Sequence, residues 1–155
     1  DGLPILQAKP HWEWFVKKSS KLKSDYRYNP ESVFDTFPWL QSPTSKQIEA
    51  VASAAVEVRR VRGAALKLTD GGLRAVYRTL ELPGKHPLKD AHAALDAAVL
   101  AAYGFDAKKD LLAQLLELNL AVATLEKNGK PVTAPGVPAG YGDAKKLITE
   151  DCIKP

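Results

Sequence analysis

Residues 46–68 contain no proline and are rich in Ala, Val, Glu and Arg. Ile48, Val51, Ala52, Ala55, Val58, Val61 and Ala65 recur along this run at spacings of three and four. That periodicity predicts one long helix with a single apolar stripe. Such a stripe has to be buried, and its many alanines let a second helix approach closely. Ser42-Pro43-Thr44-Ser45 precedes the run and supplies its cap, at Ser42 or Thr44.

The partners follow in order. Thr69-Asp70-Gly71-Gly72 starts a second element running to about Leu80, with Leu73, Val76, Tyr77 and Leu80 on its apolar side. Pro83-Gly84-Lys85-His86-Pro87 is a clear break. Leu88 to Tyr103 is the next long helix, turning Leu88, Ala91, Leu95, Ala98, Val99 and Ala102 inward. Gly104 suits its C-terminal end, where positive φ is wanted. Asp110 to about Leu125 is a third, carrying Leu111, Leu112, Leu115, Leu116, Leu118, Leu120 and Val122. It stops at Lys127-Asn128-Gly129-Lys130. From Pro131 the composition shifts to Pro, Gly and Ala, which predicts an extended tail.

Ahead of the helices the pattern is mixed. Residues 11–18 read as a short helix with Trp12, Phe15 and Val16 on one side. Residues 21–28 alternate through Leu22, Tyr26 and Tyr28, which favours a strand. Asn29-Pro30 breaks it, and Pro30 to Phe34 forms one helical turn with proline at its first position. Val33, Phe34, Phe37, Pro38 and Trp39 make an apolar anchor. The expected fold is mainly α: a bundle of three to four helices with a small N-terminal α/β segment and an extended C-terminal tail. The boundaries are 1–40 for the mixed segment, 43–128 for the bundle and 129–155 for the tail.

At 155 residues the chain can bury a core without disulfide or metal. The lone Cys152 forms no internal disulfide and fits a reducing, cytoplasmic compartment. No apolar run approaches the ~18 residues of a membrane span. The chain has no methionine and begins Asp-Gly-Leu-Pro. It therefore reads as a piece of a longer protein, the alternative being removal of an initiator methionine ahead of Asp1.

The net charge is +4, and all of the excess lies in the first half: residues 1–67 hold 11 Lys/Arg against 7 Asp/Glu, and the remainder hold 11 against 11. Lys17, Lys18, Lys21, Lys23 and Arg27 crowd into residues 17–28 with Ser24, against a single Asp25. Such cations and hydroxyls suit phosphate oxygens, which fix register without reading sequence. Arg27, Tyr26 or Tyr28 can approach a base edge or stack. A solvated lysine-rich turn is the alternative. Arg59, Arg60 and Arg62 form a second cluster, either a solvated face or a phosphate-facing edge.

Catalytic motifs are missing from the sequence. There is no glycine-rich phosphate loop, no Gly-x-Ser-x-Gly and no zinc-ligand spacing. His92 and Asp96, four apart on one helical face, are the best acid–base candidates. An imidazole held by a carboxylate can act as a base, but such pairs more often tie helices together. Tyr103 reads as core or as a hydrogen-bonded cap.

Two stretches carry a family resemblance. Lys21-Leu22-Lys23-Ser24-Asp25-Tyr26-Arg27-Tyr28 and Val33-Phe34-Asp35-Thr36-Phe37-Pro38-Trp39 resemble the end of the target-recognition region of MmeI-like DNA methyltransferases, the single-chain restriction–modification enzymes and their relatives. Asn29 stands where Ser or Thr is usual. Downstream, Ala91 to Gly104 is similar to the family's "ala-his-x-x-leu-asp-x-ala-val-x-x-ala-tyr-gly" helix, and Leu111 to Asn119 to the "leu-leu-x-leu-asn" helix that follows. The resemblance covers about residues 11–125.

It implies a parent that is an S-adenosylmethionine-dependent DNA adenine-N6 methyltransferase, with or without a nuclease. The catalytic Asn-Pro-Pro-Tyr and the cofactor loop of such enzymes lie upstream and are not in this chain. The chain is then expected to be a non-catalytic C-terminal fragment that needs no cofactor or metal of its own. Double-stranded DNA and the methyltransferase core of the same polypeptide are its implied partners, with no membrane. Lys17, Lys18, Lys21, Lys23, Ser24, Tyr26 and Arg27 are the candidate DNA-binding residues. Phe34, Phe37, Pro38, Trp39, His92, Asp96 and Tyr103 are expected to be scaffold. A helical protein-interaction module without DNA contact is the alternative reading.

Overall fold

The computed structural model describes residues 3–22, 25–136 and 145, without the side chains of Lys21 and Leu22. Its elements in chain order are α1 (Leu3–Leu6), α2 (Lys9–Lys18), β1 (Ser20–Leu22), β2 (Asp25–Arg27), α3 (Pro30–Val33), α4 (Ser45–Leu68), α5 (Gly72–Thr79), α6 (Pro87–Tyr103) and α7 (Leu111–Lys127). The mainly α class with a small N-terminal α/β segment is what the pattern predicts. Most of the expected tail lies outside the described residues. Its beginning is tied down: the Gln41 side-chain amide donates to the Thr133 carbonyl (3.2 Å), and the Thr133 N–H donates to Gln41 Oε1 (2.8 Å).

Two apolar clusters hold the fold. The first lies between α4, α5 and α6, with Val51, Val58, Val76, Leu88, Ala91, Leu95, Val99 and Ala102 at its centre. Ala54, Ala55 and Ala65 pack against it, so small side chains do line the α4–α6 approach. Thr44 caps α4 in a capping box: its hydroxyl accepts the Gln47 N–H (3.3 Å), and Gln47 Oε1 accepts the Thr44 N–H (2.8 Å). Gly104 closes α6 in the left-handed region (φ 67°), and the Phe105 N–H reaches back to the Leu100 carbonyl at 3.0 Å.

The second cluster joins the N-terminal segment to α7: Trp14, Val33, Phe37 and Trp39 close on Leu115. Tyr103 packs against both clusters and donates its hydroxyl to the Pro38 carbonyl at 3.1 Å. Burial pushes its phenol far above the ordinary range. Tyr103→Phe strands the Pro38 carbonyl and should cost about 1–2 kcal/mol. Urea unfolding read at a Trp39 signal checks this.

Four details depart from the pattern. Trp12, expected on the inner side of its helix, is 58% exposed. The buried stripe of α2 is Pro10, His11 and Trp14 instead, because a histidine stands where an apolar residue was sought. Residues 21–28 do not form one strand. They fold into an antiparallel hairpin, Lys21 opposite Tyr26, which pairs backbone groups that a lone strand would leave open. Leu73 on α5 and Leu120 on α7 are exposed. In α7 only Leu115 is fully buried, since leucines ring the helix and a single face meets the core.

Candidate nucleic-acid interface

The basic segment is mounted on α2. Pro10 in the first turn of α2 presets the helical φ, and Lys17 and Lys18 fall in its last turn, where the helix dipole favours cations. Both lysines are exposed. Lys18 Nζ lies 4.8 Å from the centre of the Trp14 ring, so it is steered by a cation–π contact. From Ser20 the chain turns into the hairpin, whose second strand exposes Asp25, Tyr26 and Arg27. Lys23 and Ser24, two of the predicted DNA contacts, lie outside the described residues, as does the Lys21 side chain.

The mount is aromatic and polar together. Phe15 is the hub: Trp12, Tyr26 and Tyr28 place their rings 5.4, 5.8 and 5.4 Å from it. Trp14 Nε1 donates to the Thr36 hydroxyl (3.2 Å), which donates to the Ser32 carbonyl (2.7 Å). The Asn119 amide of α7 donates to the Thr36 carbonyl at 2.8 Å. The anchor Phe34–Trp39 therefore joins the hairpin's base to the helices. Phe37 meets both Trp14 and Trp39 edge-on.

His11 is buried beneath the hairpin's end. Its Nε2 is 3.2 Å from the Tyr28 hydroxyl, its ring meets Phe37 edge-on at 4.9 Å, and its Nδ1 is buried with no partner. Desolvation lowers its pKa, which keeps the ring neutral at pH 7. Burial and the nearby Asp35 raise Tyr28. His11 loses stability on the acid side. Unfolded, it takes up a proton near its ordinary 6.5; folded, it resists until lower pH. Stability should stay level above about pH 7 and fall as pH drops below about 6.5. His92, also lowered mainly by desolvation, acts in the same direction. His11→Gln should flatten part of that fall, as read from urea midpoints across this pH range.

His92 and Asp96, expected to be scaffold and also weighed as an acid–base pair, are not hydrogen-bonded to each other. Among the described residues each has its own partner. His92 Nε2 is 3.0 Å from the Tyr77 hydroxyl, tying α6 to α5. Asp96 Oδ1 accepts the Lys9 N–H at 2.7 Å, which places a carboxylate at the N-terminus of α2. With no bond between them, the carboxylate does not orient the imidazole for proton transfer. Of the arginines of α4, Arg60 is held by both Glu57 oxygens at 2.7 Å, and Arg62 donates to Gln7 Oε1 at 3.2 Å. No group of three metal-ligating side chains occurs among the described residues. No helix there is long and apolar enough to cross a membrane.

The sequence reading missed His11, Thr36 and Asn119 as ties, and Trp12 as a surface group. The signal for the first was the His11–Trp14 spacing, three apart like any buried helical pair.

No family model matches the chain. It is 31% identical over 121 residues to DNA methyltransferase A of Bacillus subtilis (strain 168), covering 75% of this chain and 13% of that protein. Its fold matches that of the type IIL restriction–modification enzyme MmeI, solved in complex with DNA, with a TM-score of 0.67 and 30% identity over 79% of this chain and 16% of that one. The chain thus spans less than a fifth of either relative. Sequence and fold agree on an MmeI-like methyltransferase region.

Proposed function

We propose that this MmeI-like methyltransferase region is a C-terminal, non-catalytic part of its parent that meets duplex DNA through the end of α2 and the hairpin. The carrying observation is that Lys17, Lys18 and Arg27 are all exposed on segments joined by the packing of Tyr26 and Tyr28 on Phe15. Cations held on an ordered surface engage phosphates at low entropic cost. Lys21, Lys23, Ser24 and Tyr26 are read as joining them at the DNA. Residues 1–40 are the end of the target-recognition region. The helices of residues 43–128 brace it, with His92, Asp96 and Tyr103 as ties.

The parent is an S-adenosylmethionine-dependent DNA adenine-N6 methyltransferase of the cytoplasm, whose cofactor and target-base pockets lie in its methyltransferase core. Fluorescence anisotropy of a labelled duplex, titrated with this chain over a salt series, tests the DNA contact. Log affinity should fall linearly with log salt, by about 0.9 per neutralised phosphate. Absence of binding at low salt overturns the reading and leaves a helical module that contacts protein alone.

A further inference from the structure

A cleft of about 590 Å³ opens between α1–α2, Tyr28 and α6. Leu6, Trp12, Phe15 and Tyr28 give it flat apolar walls, and His92 and Asp96 give it a polar edge. Trp12 is 58% and Tyr28 43% exposed, although each rests against Phe15. The rings rest on a neighbour yet keep much of their surface accessible. A stacking site for a planar heterocycle needs that arrangement.

The aromatic wall and the acceptor at its edge favour the base of a nucleotide. An exposed lysine, Lys9, and the carboxylate of Asp96 both border the cleft, and the exposed Lys17 and Lys18 stand further along α2 at its C-terminal end. A carboxylate repels phosphate but accepts from an exocyclic amine. One oxygen of Asp96 takes the Lys9 N–H, and a carboxylate has further acceptor capacity.

We infer that this cleft takes an unpaired, amine-bearing nucleobase, stacked on Trp12 and held at its edge by Asp96, while the flanking phosphates lie on the α2 lysines. The phosphate part rests on the DNA contact proposed above; the base site does not.

The test uses the whole chain and three duplexes of one sequence: fully paired, with one bulged adenine, and with one bulged thymine. The bulged adenine should raise affinity about tenfold over the paired duplex, the size of one base–aromatic stack. It should also quench tryptophan emission, since Trp12 is the exposed indole and Trp14 and Trp39 are buried. Bulged thymine, with no amine, should gain less.

Trp12→Ala and Trp12→Leu should both erase the preference, read in each variant as the ratio of its affinities for the bulged-adenine and paired duplexes. Leucine keeps apolar bulk without a flat face, so a preference surviving in Trp12→Leu overturns the stacking. Equal affinity of the unmodified chain for paired and bulged duplexes overturns the cleft and leaves the phosphate contact standing. If no duplex binds, the phosphate contact falls and adenosine alone decides the cleft. Quenching by adenosine that Trp12→Ala abolishes supports the site, and no quenching overturns it.

Discussion

Trp14→Ala should cost about 3–5 kcal/mol of stability, the range for emptying a well-packed aromatic site. Trp14 is fully buried at the centre of the cluster that joins α2, the Phe34–Trp39 anchor and α7. Its loss opens a cavity against Phe37 and Leu115, strands the Thr36 hydroxyl as an acceptor, and frees Lys18 from its ring contact. A domain of this size has roughly 5–15 kcal/mol in all, so the variant should melt well below the unmodified chain. The loss should also be uneven. The α4–α6 cluster contains no atom of Trp14, so amide hydrogen exchange should accelerate first in α2, the hairpin and α7. Uniform acceleration would show that the two clusters unfold as one.

Replacing Lys17, Lys18 and Arg27 together by alanine should lower duplex affinity by on the order of ten- to a hundredfold at low salt, with the fold intact. All three are exposed, and among the described residues neither lysine is in an ion pair. Lys18 gives up its contact with Trp14, an effect of about 0.5–1 kcal/mol at an exposed site. The melting temperature should therefore move little while binding falls. A matching triple replacement of Arg59, Arg60 and Arg62 should leave binding nearly unchanged, because Arg60 is engaged by Glu57 and Arg62 by Gln7.

The long helices were legible because the burial they need is written at a period of 3.6. Val51, Val58, Leu88, Leu95 and Val99 are where that period puts them. Thr44, Asp110 and Gly104 mark ends through local chemistry that needs no tertiary context. Periodicity failed where polar atoms share the core. His11 is buried because Tyr28 and Phe37 close over it, and neither lies within fifteen residues along the chain. Trp12 gives up the inner position to it. Pairing of His92 with Asp96 looked natural from spacing, yet the Asp96 partner is the first amide of α2, far away in sequence. Long-range ties of this kind leave no periodic trace. The family phrase around Phe34–Trp39 did carry that information, since its aromatic residues are the ones that close on Leu115.

The salt dependence of duplex binding, measured side by side for the unmodified chain and the Lys17/Lys18/Arg27 triple alanine variant, tests the central claim most directly. The slope of log affinity against log salt should become shallower by about 2.7, three phosphate contacts at about 0.9 each. An unchanged slope in a folded variant would mean that the end of α2 and the hairpin do not face DNA.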